Sequence, residues 1–232
     1  MTPMTPETLR YGLVVLDYDG TLAESDAAVG HCLGAVLRAR GLPAPDPDAV
    51  RANIGLSLPA TFRHFAPHLD EAEVERCVAE YRSLYLAEGL PRMALYPGVE
   101  ATLPRLRRAG VRLAVVSNRG HEVLLECLRR DGLAPVVDLA LGDAPGRPRK
   151  PDPGAYLAEV RPAFPEVPPG RTLMVGDTAI DLAFARAAGL PCCLAAYGYG
   201  GYGDLAALPA PGPEHVIAAF PDLAALVLGE TA

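Results

Sequence analysis

The chain has 232 residues, half of them hydrophobic, and a net charge of −7. That length fits one large or two small domains with a substantial core, and the negative balance argues against non-specific nucleic-acid binding, which needs a basic surface. Met1–Arg10 lacks the apolar run of a secretion signal and no apolar stretch is long enough to span a bilayer, so no membrane association is expected. Five cysteines show neither metal-site spacing nor an even disulfide framework, which fits a reducing, cytoplasmic compartment.

In chain order the first element is an uncharged run, Leu13-Val14-Val15-Leu16, which reads as a buried strand of a parallel sheet. It leads into Asp17-Tyr18-Asp19-Gly20-Thr21. In extended backbone, residues i and i+2 face the same side. Two carboxylates therefore gather at the carboxyl end of a strand, where open α/β sheets bind ligands. Paired acids there can hold a hard cation, attack as a nucleophile or exchange protons. Asp19-Gly20 also suits a plain strand-to-helix turn.

About seventy residues then intervene before the next sheet element, where a βα loop usually takes about 2–6. Helical periodicity runs through Asp26–Arg40, around Pro59–His68 and through Asp70–Glu88, with breaks at Gly41-Leu42-Pro43 and Asn53-Ile54-Gly55. A small helical domain inserted in the first crossover, sited beside the carboxylates as a lid, is expected. Arg51, Arg63 and Arg92 within it read equally as anion contacts or solvated charges, and His31, His64 and His68 have no metal-site spacing.

Strands at Val111–Val116, Val136–Leu141, Thr172–Val175, Cys192–Ala196 and Val216–Ala219 alternate with helices at Val99–Ala109, Glu122–Arg130, Pro153–Val160, Ala179–Ala188 and Asp222–Leu228. This is the pattern of an α/β fold with a doubly wound parallel sheet. Gly110, Gly132 and Gly189 stand where helix C-caps are expected, and adjacent Cys192 and Cys193 should face opposite sides of their strand.

Polar groups follow several of these strands. Ser117-Asn118 offers hydroxyl and amide donors for a phosphoryl oxygen, or an N-cap for the next helix. Asp177 and Asp181, four apart after Gly176, can share a face toward a metal or serve as helix-start acids. Gly176 would let backbone approach a ligand. Lys150, the only lysine in a chain with 20 arginines, lies in a proline-rich loop. Gly198-x-Gly200-x-x-Gly203 matches a dinucleotide fingerprint, but the next helical stretch, Asp204–Leu208, is too short to receive a pyrophosphate. A flexible loop is expected there.

Two acids, a hydroxyl, a lysine and two more acids, each after a strand, together resemble the haloacid dehalogenase (HAD) superfamily. Asp17-x-Asp19-Gly20-Thr21 is similar to its first motif, Ser117-Asn118 to its second, Lys150-Pro151 to its third and Gly176-Asp177-Thr178-x-x-Asp181 to its fourth. The likeness covers almost the whole chain, including Tyr96-Pro97-Gly98-Val99 at re-entry and an insertion resembling the type-one cap. Gly142-Asp143, Lys150-Pro151-Asp152-Pro153 and Tyr197–Gly200 echo the phosphoglycolate phosphatase branch.

The resemblance implies a Rossmann-like core over 1–22 and 94–232 with a helical cap over 23–93. It implies a Mg²⁺-dependent phosphatase of a small phosphorylated metabolite, 2-phosphoglycolate first, working through an aspartyl-phosphate. A pyrophosphatase, nucleotidase or sugar phosphatase on the same scaffold, or a non-catalytic binding domain, are the rivals. Implied roles are Asp17 as nucleophile and metal ligand, Asp19 as acid–base group and carbonyl ligand, and Asp177 as metal ligand. Ser117, Asn118, Thr21 and Lys150 would bind the phosphoryl group, with Asp181 and Gly176 supporting. An acid at Asp19, where dehalogenases have Tyr, points to a leaving oxygen that needs a proton. Tyr18, Glu24 and Arg119 depart from the usual pattern and are expected to leave the chemical core untouched. The oligomeric state cannot be read from the sequence.

Overall fold

The computed structural model describes residues 9–200 and 210–230. Leu13–Leu16 forms β1, buried throughout, and sits in the middle of a six-stranded sheet. Its neighbours are β4 (Arg112–Gly120) and β6 (Thr172–Gly176); β5 (Leu139–Asp143) lies beyond β4, and β7 (Cys192–Ala195) and β8 (His215–Ile217) beyond β6. Every pairing in this sheet is parallel. Leu16 is in register with Val115 on one side and Val175 on the other. The residues just beyond those three positions, Asp17, Ser117 and Asp177, therefore emerge at one edge.

Side chains alternate across the sheet. Val14, Leu16, Val115, Val175 and Cys193 join one hydrophobic cluster, while Leu13, Val15, Ala114, Met174 and Cys192 join the other. The two adjacent cysteines thus face opposite ways, as a two-residue period demands. Both layers are covered: α5 (Val99–Arg108), α6 (His121–Arg130) and α9 (Asp222–Leu228) contribute to the first cluster, and α8 (Ala179–Ala188) to the second. A wide helical turn, Tyr156–Val160, running into the short α7 (Arg161–Ala163), packs there too. Gly189 ends α8 at φ 70°, and Gly229 does the same for α9.

Between β1 and α5 the chain leaves the sheet on β2 (Ala23–Glu24) and returns on the antiparallel β3 (Ala94–Leu95). Enclosed are α1 (Asp26–Arg38), α2 (Pro47–Asn53), α3 (Leu58–Phe65) and α4 (Glu71–Leu84), then turns Tyr85–Gly89 and Leu90–Arg92. Three of these helices carry local start signals. Asp46 accepts from the Asp48 and Ala49 amides with Pro47 behind it, Ser57 accepts from Ala60, and Asp70 accepts from Glu73. The short α2 and the two-strand neck are additions to the sequence-based expectation. Asn53-Ile54-Gly55, expected as a mere break, is the exit of α2.

Candidate active site

Asp17 stands one residue past β1, and only 4% of its surface is exposed. Its Oδ1 accepts from the Tyr18 amide at 2.7 Å and from Lys150 Nζ at 2.9 Å. Beyond it the chain folds back, with the Leu22 and Ala23 amides bonding the Tyr18 carbonyl. Asp19 lines the same cavity as Asp17.

At the end of β6, Asp177 is fully buried; its Oδ1 accepts from Thr21 Oγ1 at 3.1 Å and its Oδ2 from the Tyr199 amide at 2.7 Å. Thr21 thus supports an acid, and its hydroxyl is not on the cavity wall. Asp181, one turn into α8, bonds the Thr178 amide (3.0 Å) and hydroxyl (2.7 Å) through Oδ2, and its Oδ1 takes Lys150 Nζ at 2.6 Å. It is helix cap and lysine partner at once. Asp17, Asp177 and Asp181 each place a carboxylate oxygen within 4.8 Å of the others.

Three buried acids and one lysine leave negative charge in excess. Burial pushes Asp17 up to about 7 despite the opposing Lys150 ammonium, and Asp181 adds repulsion. Burial likewise raises Asp177 well above the usual carboxylate range, with Asp181 and Asp17 adding to it. Burial alone would favour a neutral Lys150, but Asp17 and Asp181 outweigh it and hold the ammonium. A hard divalent cation among these oxygens resolves the surplus. The donor set therefore fits Mg²⁺ chemistry.

Glycines make the crowding possible. A Cβ on Gly20 would lie 2.1 Å from Asp177 Oδ2, one on Gly176 2.3 Å from Asp181 Cβ, and one on Gly198 2.3 Å from Asp177 Cβ. Gly176 therefore admits a carboxylate side chain rather than a ligand. Gly198 belongs to a packed support for Asp177, where a flexible loop was expected; Tyr199 is buried, and its hydroxyl accepts from the Ser25 and Asp26 amides. Gly203 and Asp204–Leu208 lie outside the described residues. Gly198→Ala is expected to cost about 1–3 kcal/mol through overpacking and to weaken Mg²⁺ binding about tenfold or more. Calorimetric Mg²⁺ titration and thermal melting of the variant check both.

The second motif lies on β4 itself, not at a helix start. Ser117 lines the cavity, its Oγ accepting from the Arg119 amide at 3.2 Å. The Asn118 side chain is spent on backbone: Nδ2 donates to the Lys150 and Gly55 carbonyls, and Oδ1 accepts from the Lys150 amide, each at 2.9 Å. Asn118 therefore anchors the lysine loop and the exit of α2. It is not free to hold a phosphoryl oxygen as expected.

Arg119 overturns a second expectation. Its guanidinium grips Asp19 with both arms, Nε to Oδ2 at 3.0 Å and Nη2 to Oδ1, while its carbon lies 4.5 Å from the Tyr85 ring centroid. The departure at this position pairs directly with Asp19. Sequence order gave no sign of it, because the partner lies 100 residues away. Tyr18, by contrast, is buried and donates to Asp131, and Glu24 is exposed.

Arg51, Arg63 and Arg92 are occupied on the surface by Asp26, Glu71 and the Glu88 carbonyl. The insertion instead places Arg82 on the cavity wall with Leu33, Phe65, Tyr81 and Tyr85, its side chain still 44% exposed. His121 accepts from the Gly142 amide, His31 pairs with Glu88, and His215 bonds the Tyr11 hydroxyl.

Residues 14–195 match the family model described as haloacid dehalogenase-like hydrolase. The chain belongs to the haloacid dehalogenase-like hydrolases. Among known proteins, it is 33% identical over 227 residues to a plasmid-encoded phosphoglycolate phosphatase of Cupriavidus necator, covering 95% of this chain and 96% of that one. It is 34% identical over 191 residues to a tyrosine-protein kinase of Mycobacterium tuberculosis, covering 81% of this chain and 63% of the kinase. A crystal structure of a haloacid dehalogenase-like hydrolase from Bacteroides fragilis superposes with a TM-score of 0.82 at 26% identity, covering 92% of this chain and 99% of that one. Within the family, this hydrolase is a phosphatase. Among its described residues, no helix is long and apolar enough to cross a membrane.

Proposed function

We propose that this hydrolase is a Mg²⁺-dependent phosphatase of a small phosphorylated metabolite, acting through an aspartyl-phosphate on Asp17. Lys150 carries the reading: it bridges Asp17 and Asp181 inside the three-carboxylate cluster at 2.9 and 2.6 Å. An ammonium so placed steadies a nucleophilic carboxylate facing an anionic phosphoryl group. Asp17, Asp177 and the Asp19 carbonyl would hold the cation, which when bound offsets phosphate charge in a loose transition state. Ser117 presents its hydroxyl to the transferring group. Asp19 protonates the leaving oxygen and then takes a proton from the water that attacks the phosphoryl-enzyme. Arg119 fixes its carboxylate.

The insertion over 23–93 acts as the cap, with the Asn118–Gly55 contact holding it against the core over 1–22 and 94–232. 2-Phosphoglycolate is the first candidate substrate, supported by the name of the Cupriavidus necator relative. All five cysteines are buried and free, which supports action in the cytoplasm.

Phosphate release from a panel of phosphorylated metabolites, with Mg²⁺ and with EDTA, tests the proposal. Turnover confined to Mg²⁺ is expected. Equal turnover in EDTA, or none from any substrate in folded protein, overturns it.

A further inference from the structure

The cavity holds three cations, and two are already matched. Lys150 faces Asp17 and Asp181, and Arg119 faces Asp19. Arg82, near the carboxyl end of α4, is different. Its ion pair is long, Nη2 to Asp143 Oδ2 at 3.4 Å, and Asp143 is already gripped by Arg149 at 2.7 and 3.2 Å. Its Nε is buried with no hydrogen-bond partner; among the described residues, Ser25 Oγ is the other buried side-chain atom in that state. The guanidinium lies against Gly120, where a Cβ would sit 3.4 Å from Arg82 Nε, in ordinary van der Waals contact. Gly120 directly follows Arg119, so Arg82 lies against backbone adjoining the residue that holds Asp19.

A buried N–H without an acceptor costs free energy that a ligand oxygen would recover. The surrounding cap wall is apolar, so an anion entering it needs a cation there. Arg82 supplies one, with donors to spare.

The geometry points to Arg82 as the receiver of a second anionic group on the substrate's leaving group, a carboxylate close to the phosphoester oxygen. Resting on the phosphatase reading, this assigns the substrate class as phosphate monoesters of short hydroxy acids. The leaving group enters with its carboxylate toward α4, its ester oxygen toward Asp19 and its phosphoryl group toward Asp17. The choice between acid, sugar and nucleoside leaving groups then rests on one guanidinium of the cap.

The test is calorimetric titration of the Mg²⁺-loaded protein with 3-phosphonopropionate, a non-hydrolysable isostere of 2-phosphoglycolate, and with propylphosphonate, which lacks the carboxylate. Wild type is expected to favour the carboxylate ligand by about 10- to 100-fold, the range for a hydrogen bond to a charged group. Arg82→Met, which keeps the aliphatic stem, should erase that preference, and Arg82→Lys should restore part of it. Equal affinities in wild type, a preference surviving in Arg82→Met, or parallel weakening of both ligands overturns the assignment. The metabolite panel separates the two readings: Mg²⁺-dependent release with no bias toward acid leaving groups overturns this inference alone. A silent panel beside an Arg82-dependent binding preference overturns the phosphatase reading and leaves Arg82 as an anion receiver.

Discussion

Asp17→Asn is expected to lower kcat by at least about 10⁴-fold, the scale on which removal of a nucleophile acts. The amide matches the carboxylate in shape and can still accept from the Tyr18 amide, so the fold should survive. What disappears is the oxygen proposed to attack phosphorus. Lys150 keeps Asp181 at 2.6 Å and stays paired. Two readouts separate a nucleophile from a mere metal ligand. Wild type quenched in acid during turnover should retain labelled phosphate on the protein, and the variant none. Raising Mg²⁺ a hundredfold should not rescue the variant. Rescue by metal, or more than a tenth of wild-type turnover, would reduce Asp17 to a ligand.

Asp177→Asn should separate function from stability. Losing one of the carboxylates proposed to hold the cation is expected to cut turnover by about 10³-fold, consistent with several kcal/mol of charge stabilisation from a metal. Without metal the same change should stabilise the protein. The folded-state pKa of Asp177 lies well above its ordinary 3.8, first through burial and then through Asp181 and Asp17. The folded state therefore binds its proton more tightly than the unfolded chain does. That contribution is fully present below about pH 4 and is lost as pH rises through the folded value.

An uncharged Asn avoids the loss. Melting temperatures of the metal-free pair should coincide near pH 4 and separate in the variant's favour toward pH 7, by about 2–4 °C for each kcal/mol. Saturating Mg²⁺ should reverse the order, since a ligand at 100 times its Kd adds about 2.7 kcal/mol to the form that binds it. A variant less stable than wild type without metal at pH 7 would show that the cluster carries no such charge strain.

The strands and the acids at their ends are legible in the sequence because both signals are local. Leu13–Leu16 is an unbroken apolar run, and Asp17, Asp177 and Asp181 follow within a few residues of a strand end. Chain order then suffices, because parallel strands bring their carboxyl ends together. Asp46-Pro47-Asp48 marked the start of α2, yet seven residues with little apolar periodicity gave the pattern too little length to register.

What escaped was long-range. Arg119 looks like a neutral replacement until its partner across the sheet is known. Asn118 looks like a phosphate ligand until both ends of its amide are seen bonding Lys150. The glycines at 198 and 200 imitate a nucleotide loop, while Gly198 is there because Asp177 leaves no space for a methyl group. Arg82 is one of many arginines on helical segments, and only the fold brings it to the cavity wall.

Lys150 is the chain's only lysine, and its side chain is 2% exposed. Every other side-chain cation of fixed charge is a guanidinium, which acylating reagents pass over at neutral pH. Lysine acylation of this protein therefore has a single address, buried between Asp17 and Asp181. The rate at which an amine-selective label reaches it, read from the peptide that carries Lys150 so that the α-amine is not counted, is a clock for how often this buried cluster is exposed.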